Sequence, residues 1–129
     1  MGILVKGLLA SVAISCAFSV QADIETDLTN ICHLVNTDDR SGFRKKIRTV
    51  EIDYRLKLQD YYEGITCNGH SLVRTAILKN SLGVGTLLVK TLPRNHLKSP
   101  EQDGVTLQAW VNQRGLQRNK IAKILQHRL

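Results

Sequence analysis

The hydrophobic positions that follow residue 23 repeat with the spacing of an amphipathic helix. Their separations are four, three and four residues, which places Ile24, Leu28, Ile31 and Val35 on one helical face. Polar residues between 38 and 41 then interrupt the pattern and offer capping side chains. We therefore expect a second helix to begin there, with an apolar face formed by Phe43, Ile47 and Val50. Its basic residues should lie mostly on the solvent side: Arg44, Lys45, Lys46 and Arg48.

The period changes to two between Val50 and Leu58, where apolar residues alternate strictly with charged ones. Strict alternation predicts a half-buried strand. A helix over the same residues would carry apolar side chains all round its axis, so we prefer the extended structure. Gln59 and Asp60 then allow a turn into a second extended piece over 61–66. The expected result is a short extended or β-hairpin segment near residues 50–66.

Helical spacing returns after the turn dipeptide Asn68-Gly69, with Ser71 at the position of an N-cap. Two helices should follow it, and Pro93 should end the second. Their apolar faces are Leu72, Val73, Ala76 and Ile77, then Val84, Leu87, Leu88 and Leu92. A last pair should bury Leu107, Trp110 and Val111, then Ile121, Ile124 and Leu125. The pattern predicts a mainly α fold, a small bundle of helix pairs that resembles ankyrin-type stacking by analogy.

The first 22 residues have the features of a signal peptide. One charge, Lys6, precedes an apolar run from Gly7 to Val20, and small residues end the run at Ala22. We expect cleavage after Ala22 and a periplasmic protein. An uncleaved anchor is one alternative, although the run is short for a membrane span. Lipidation of Cys16 is the other, but Ala13 stands where lipoprotein signals favour leucine.

The remaining chain, 23–129, is long enough for a single small domain. We divide it into a core over 23–92, a linker over 93–104 and a C-terminal helix pair over 105–129. The linker is assigned because this stretch combines Pro100 with several polar and charged residues.

Two cysteines, Cys32 and Cys67, remain after the signal peptide. In an oxidising compartment we expect them to form a disulfide, worth about 3–4 kcal/mol for a loop of this length. Metal binding is the alternative, but the chain contains no CxxC, HxxxH or HExxH pattern. We expect no metal and no cofactor.

Charge is distributed unevenly along the chain. Residues 23–63 contain nine acidic and seven basic side chains, a balance of −2, whereas residues 64–129 contain two acidic and ten basic ones, a balance of +8. This asymmetry indicates an anionic partner for the second half, a match between the two halves, or only a solvated basic face. The candidate anion-binding residues are Arg114, Arg118, Lys120, Lys123 and Arg128.

His70 next to Ser71 suggests a hydrolase, but adjacent residues seldom face each other as base and nucleophile, and no GxSxG elbow surrounds them. The capping role already accounts for Ser71. We therefore predict a disulfide, a turn and a helix cap in succession rather than a catalytic corner, and we assign no catalytic residues.

Several blocks together resemble a family of short exported proteins of unknown function from Gram-negative bacteria. They are Ile31-Cys32, Asp38-Asp39, Phe43 to Ile47 and Cys67 to Leu72, the last with the form CNG-x-SL. The resemblance covers roughly residues 28–92. It implies an exported single domain with a structural cysteine pair, and it supplies no activity.

The leading functional hypothesis is a non-enzymatic periplasmic module that binds another protein or an envelope component. The alternative is recognition of an anionic ligand, such as lipopolysaccharide, phospholipid or nucleic acid, through the basic second half. Export would separate the protein from the chromosome, so we expect no DNA partner. A hydrolase, or an inhibitor of one, is the third hypothesis.

Overall fold

The computed structural model describes residues 15–129, with side chains from Ile24 onward. Most of the predicted signal peptide lies outside the described residues, as does the side chain of Cys16. Within the described part, no helix has the length and apolar character that crossing a membrane requires.

The protein is mainly α-helical and its helices pack in pairs, which confirms the predicted fold class. The described helices are α1 (Ser15–Asn36), α2 (Arg40–Tyr54), α3 (Leu58–Tyr61), α4 (Leu72–Lys79), α5 (Leu82–Thr91), α6 (Arg94–Lys98), α7 (Leu107–Gln113) and α8 (Lys120–Arg128). A 3₁₀ turn, Tyr62–Gly64, follows α3. Helix α1 packs on α2 and α4, α5 packs on α4, α2 and α8, and α7 packs on α8.

The predicted strand from Val50 to Leu58 is wrong, and so is the hairpin near 50–66. Helix α2 continues through Tyr54, because Phe43, Ile47, Val50 and Tyr54 form one helical stripe that packs on the core. Ile52 is one of the apolar residues whose alternation with charged residues predicted the strand, but its side chain is 70% exposed. Arg55 then adopts a left-handed conformation that ends the helix. Among residues 15–129 the structure contains one isolated bridge, between Cys67 and His70, and no strand.

Short loops fix the two central helix pairs against each other. Asp39 caps α2 by accepting the N–H of Gly42 at 2.9 Å. Its neighbour Asp38 reaches the start of α5 and accepts the N–H of Val84 at 2.8 Å. The buried hydroxyl of Ser81 donates to the carbonyl of Val35 at 2.6 Å. Each loop is therefore hydrogen-bonded to a helix of the other pair, the first to α5 and the second to α1.

The C-terminal helices contact the same core. Gly85 of α5 permits this close approach, because a β-carbon there would lie 2.5 Å from Cδ1 of Ile121 in α8. Arg128, at the end of α8, donates to the carbonyls of Val89 at 2.6 Å and Leu92 at 2.7 Å. These bonds satisfy carbonyl groups at the end of α5 that a helix leaves without internal partners.

The stretch 93–104, which we expected to be a linker, contains helix α6 and a tight turn. Gly104 has a φ of +79°, and the turn is closed by bonds from Gly104 N–H to Glu101 O and from Glu101 N–H to Val105 O. This turn places Glu101 and Asp103 beside α4, where both meet Arg74.

Candidate binding site

The turn between Cys67 and His70 places the start of α4. Cys67 is bonded to Cys32 of α1, with 5.6 Å between the α-carbons, so the predicted disulfide is present. Two backbone bonds join Cys67 and His70, and Asn68 and Gly69 between them both have positive φ. Ser71 follows as the N-cap of α4, and its hydroxyl accepts the N–H of Arg74 at 3.4 Å. A covalent bond, a tight turn and a cap therefore fix the position of Arg74.

Arg74 is a buried arginine, only 7% exposed, on a helix whose other residues from 72 to 77 are also buried. Its guanidinium binds the carboxylate of Asp103 with two bonds, Nη1 to Oδ2 at 2.6 Å and Nη2 to Oδ1 at 3.1 Å. Nη2 also donates to the carbonyl of Val105 at 3.0 Å. Nε lies 2.7 Å from Oε1 of Glu101, as an ion pair whose N–H is not aligned for a hydrogen bond. Every guanidinium nitrogen thus faces an acceptor.

Glu101 is the second buried member of this network, with its side chain only 10% exposed. Besides its contact with Arg74, it accepts the hydroxyl of Ser71 on Oε1 at 2.9 Å and the hydroxyl of Tyr62 on Oε2 at 2.6 Å. Three separate segments of the chain therefore meet at one carboxylate. We refer to Tyr62, Ser71, Arg74, Glu101 and Asp103 as the Arg74 network.

Burial and charge shift the proton affinities in this network. Burial, reinforced by the negative charge of Glu101, raises the pKa of Tyr62 well above its ordinary value. The hydrogen bonds from Arg74, supported by the N–H of Val105, lower the pKa of Asp103 to about 2. Burial alone would lower the pKa of Arg74, but its bonds to Asp103 and the charge of Glu101 outweigh burial and raise it. At neutral pH the tyrosine is neutral, while Asp103 and Arg74 are charged.

A cavity of about 330 Å³ lies directly beside the Arg74 network. Its walls include Tyr62, Glu63, Thr66, Ser71, Arg74 and Glu101. Its charged lining residues are Glu63, Glu101 and Asp103 against Arg74, a balance of three negative charges to one positive. The excess of carboxylates makes this cavity better suited to hydrogen-bond donors than to acceptors.

Trp110 extends the network away from the cavity. Its ring centroid is 5.3 Å from Cζ of Arg74 and 5.1 Å from Cζ of Arg114, distances typical of cation–π contacts. The indole is 4% exposed, so it is part of the core, and the His70 ring lies 6.5 Å from it. His70 therefore faces the tryptophan, and no hydrogen bond joins its ring to Ser71 within the described structure.

The five basic residues proposed from the sequence have different surroundings in the structure. Arg118 and Lys120 line the same cavity of about 370 Å³, together with Asn80 and Asn119. Arg114 lies over Trp110, Arg128 caps α5, and Lys123 is exposed on α8. Only Arg118 and Lys120 are thus brought together at one cavity.

Sequence reasoning missed the members of the Arg74 network other than Ser71. Arg74 interrupts an otherwise apolar helix, and this was an available signal, because a lone charge on a buried helix requires a partner. Glu101 and Asp103, the only acidic residues after position 63, were a second signal. Their pairing with Arg74 depends on the tertiary fold.

Comparison with known proteins gives one match. A family model described as "Protein of unknown function (DUF3718)" matches residues 31–99. The match spans 69 of the 129 residues and includes the two disulfide-bonded cysteines, Ser71 and Arg74, while Glu101 and Asp103 follow its end. No curated protein and no solved structure matches the chain. Because the matched residues make up more than half of the chain, the protein belongs to this family, whose description is that of a protein of unknown function, DUF3718.

Proposed function

We propose that the protein is a non-enzymatic binding module of the cell envelope, exported to the periplasm, whose ligand occupies the cavity beside the Arg74 network. The observation that carries this proposal is the cavity of about 330 Å³, one wall of which is an ion network that surrounds the buried Arg74 and is built from three chain segments. Burying charges costs desolvation free energy, and buried charged groups in a cleft are concentrated at functional sites.

The state of the polar groups favours binding over catalysis. The Ser71 hydroxyl donates to Glu101 and accepts the capping N–H of Arg74, and the Glu101 carboxylate is itself held by Arg74 and Tyr62, so these groups already serve the fold. The raised pKa of Tyr62 keeps the phenol neutral at physiological pH. Each of these side chains holds another in place and is not available for proton transfer to a substrate.

The same contacts define the chemistry of the ligand. The cavity offers carboxylate oxygens and has an excess of negative charge, so it suits a ligand that carries N–H donors or a positive charge. One accessible acceptor is Glu63, which is exposed and forms no ion pair within residues 24–129.

Export is supported by the apolar N-terminal run and by the Cys32–Cys67 disulfide, since structural disulfides persist in oxidising compartments. The described range of helix α1, Ser15–Asn36, includes the expected cleavage position after Ala22. Cleavage there would leave Glu25 in the first turn of the mature helix, where acidic residues interact favourably with the helix dipole.

Expression of the full chain in a Gram-negative host tests export. We expect the periplasmic fraction to contain a protein whose intact mass corresponds to a chain that starts at Asp23 and has the disulfide formed. A full-length cytoplasmic protein, or a protein with lipid attached to Cys16, would contradict this part of the proposal.

The single tryptophan provides the binding test, because Trp110 contacts Arg74, which lines the cavity. We expect tetralysine to change its fluorescence saturably, and tetraglutamate and tetraglutamine to have no such effect. Glu63→Gln should weaken tetralysine binding several-fold, whereas Asp53→Asn, the same charge change on exposed α2, should leave it unaltered. No saturable change at millimolar tetralysine, or equal weakening by both substitutions, would contradict binding at this cavity.

A second candidate function is recognition of an anionic ligand by Arg118 and Lys120, and it is supported by their shared cavity of about 370 Å³. Affinity for phosphate-bearing ligands should then fall steeply with salt. Arg118→Gln combined with Lys120→Gln should abolish that affinity, whereas neutralising Lys90 and Lys98 should not.

A further inference from the structure

The outer face of α2 carries a compact group of exposed side chains. Arg48 follows Arg44 by four residues and Lys45 by three, and it precedes Ile52 by four, so Arg48 adjoins each of the other three on one side of the helix. The opposite side, with Phe43 and Val50, is buried in the core. Ile52 is 70% exposed, the most exposed of the large hydrophobic residues in the described structure. We refer to these four residues as the α2 outer face.

The cations of the α2 outer face have no partners within the described protein. The ion pairs of residues 24–129 involve Lys46 with Asp27, and Arg74 with Glu101 and Asp103. Lys46, which the sequence placed mostly on the solvent side, turns towards α1 and meets Asp27 at 3.0 Å. Arg44, Lys45 and Arg48 remain exposed and form no ion pair.

Their arrangement is unfavourable for the isolated helix, because like charges three or four residues apart repel one another. The acidic residues of α2, Glu51 and Asp53, are confined to its last turn. The first part of the helix therefore presents only positive charge, and Ile52 lies next to it. Neither feature contributes to the folding of this chain, which points to a surface outside the chain.

We propose that the α2 outer face docks on an anionic phospholipid surface, with the three cations at the headgroups and Ile52 inserted among them. This assignment relies on the proposed export for access to the envelope membranes. Cations on a helix are attracted to the potential of anionic lipids without the need for a groove, and an adjacent apolar side chain gains by leaving water. A continuous anionic surface matches this charged, convex helix face better than a small anion, which would need converging donors.

Vesicle binding by the full chain tests the assignment. The probes are vesicles of phosphatidylethanolamine containing phosphatidylglycerol, and matched vesicles of phosphatidylcholine alone. We compare the wild type with Arg44→Gln/Lys45→Gln/Arg48→Gln and with a control of equal charge change, Lys79→Gln/Lys90→Gln/Lys98→Gln, whose residues are exposed elsewhere. Residues 1–23 are identical in the three proteins, so a difference in binding between them reports on the substituted side chains.

We expect the α2 triple variant to bind phosphatidylglycerol vesicles on the order of 100-fold more weakly, about fivefold for each cation. The control triple should stay within a few-fold of the wild type. Wild-type affinity should fall strongly between low and high ionic strength because salt screens the charges. Ile52→Gln should cost roughly tenfold and should leave the salt dependence unchanged.

Three results would overturn the assignment. The first is equal binding of the wild type to both kinds of vesicle, and the second is an equal loss of binding in the two triple variants. The third is an α2 triple variant that binds vesicles as the wild type does but no longer binds polyglutamate. The last would assign the face to an acidic protein partner. Retention of the protein in the cytoplasm would refute the proposed export without changing these measurements, so the two failures are distinguishable.

Discussion

The Arg74 network and the α2 outer face use the same residue type in opposite ways. Arg74 is buried, is bound to two carboxylates and lies against Trp110. Arg48 is exposed and forms no ion pair in the described structure. Arg74 therefore stabilises the fold, whereas Arg48 is available to bind a surface outside the chain.

Because one arginine is buried and the other exposed, stability and binding experiments should detect different charges. A buried, paired charge is insensitive to salt but costly to remove, because its partner is left buried without compensation. An exposed, unpaired charge contributes almost nothing to the free energy of unfolding, yet it governs interactions that salt screens. Stability measurements should therefore report on the Arg74 network, and binding measurements on the α2 outer face.

The largest expected effect is the loss of stability on replacing Arg74. Arg74→Met should lower the free energy of unfolding by about 3–5 kcal/mol, because Glu101 would remain buried without its cation. Arg48→Met should change it by less than about 0.5 kcal/mol. Urea denaturation followed by circular dichroism measures both. Similar losses in the two variants would remove the contrast.

Removal of the disulfide should have the next largest effect, because it fixes the turn that leads into the network. Cys32→Ala/Cys67→Ala should lower the free energy of unfolding by about 3–4 kcal/mol, as expected for a sequence separation of 35 residues. Denaturation with and without reductant provides the check. The wild type should match the variant when reduced and exceed it when oxidised; a reductant-insensitive wild type would contradict this prediction.

The sequence predicted most helices, because their apolar residues recur at helical spacing and their caps are local. Ser71 and Thr106 cap α4 and α7 through side-chain bonds to backbone N–H groups three residues ahead. The strand over Val50–Leu58 failed for a physical reason. Val50 and Tyr54 fit both periods, and nothing in the sequence marks Ile52 as exposed.

The binding site was harder to predict than the fold. Ser71 was found through its cap, but its second bond joins Glu101, thirty residues further on. Asp103 lies 29 residues from Arg74, in a stretch that resembled a linker by composition. Such pairings depend on how the turn at Gly104 is folded against α4, and one sequence contains no local pattern for them.

The pH dependence of stability should separate the two regions further. The pKa of Asp103 is lowered from 3.8 to about 2 in the folded protein, so this carboxylate stabilises the fold above about pH 4. That stabilisation is lost as the pH falls towards 2. Wild type should therefore be more stable than Asp103→Asn at pH 6, and the difference should shrink between pH 4 and pH 2.

The matched control for this titration is Asp53→Asn on exposed α2, which should track the wild type across the same range. Denaturant melts at each pH measure the difference between each variant and the wild type. A constant difference for Asp103→Asn from pH 6 to pH 2 would show that its ionisation is not coupled to folding.

The smallest expected effect concerns the repulsion within the α2 outer face. Arg44→Gln/Lys45→Gln/Arg48→Gln removes neighbouring like charges, each pair worth about 0.2–0.5 kcal/mol in a helix. We expect this variant to be slightly more stable than wild type at low ionic strength and equally stable in high salt, where the repulsion is screened. Denaturation at two salt concentrations resolves the change. A clear loss of stability would mean that these cations stabilise the fold, as Arg74 does. It would contradict the argument that they are exposed in order to bind a surface outside the chain.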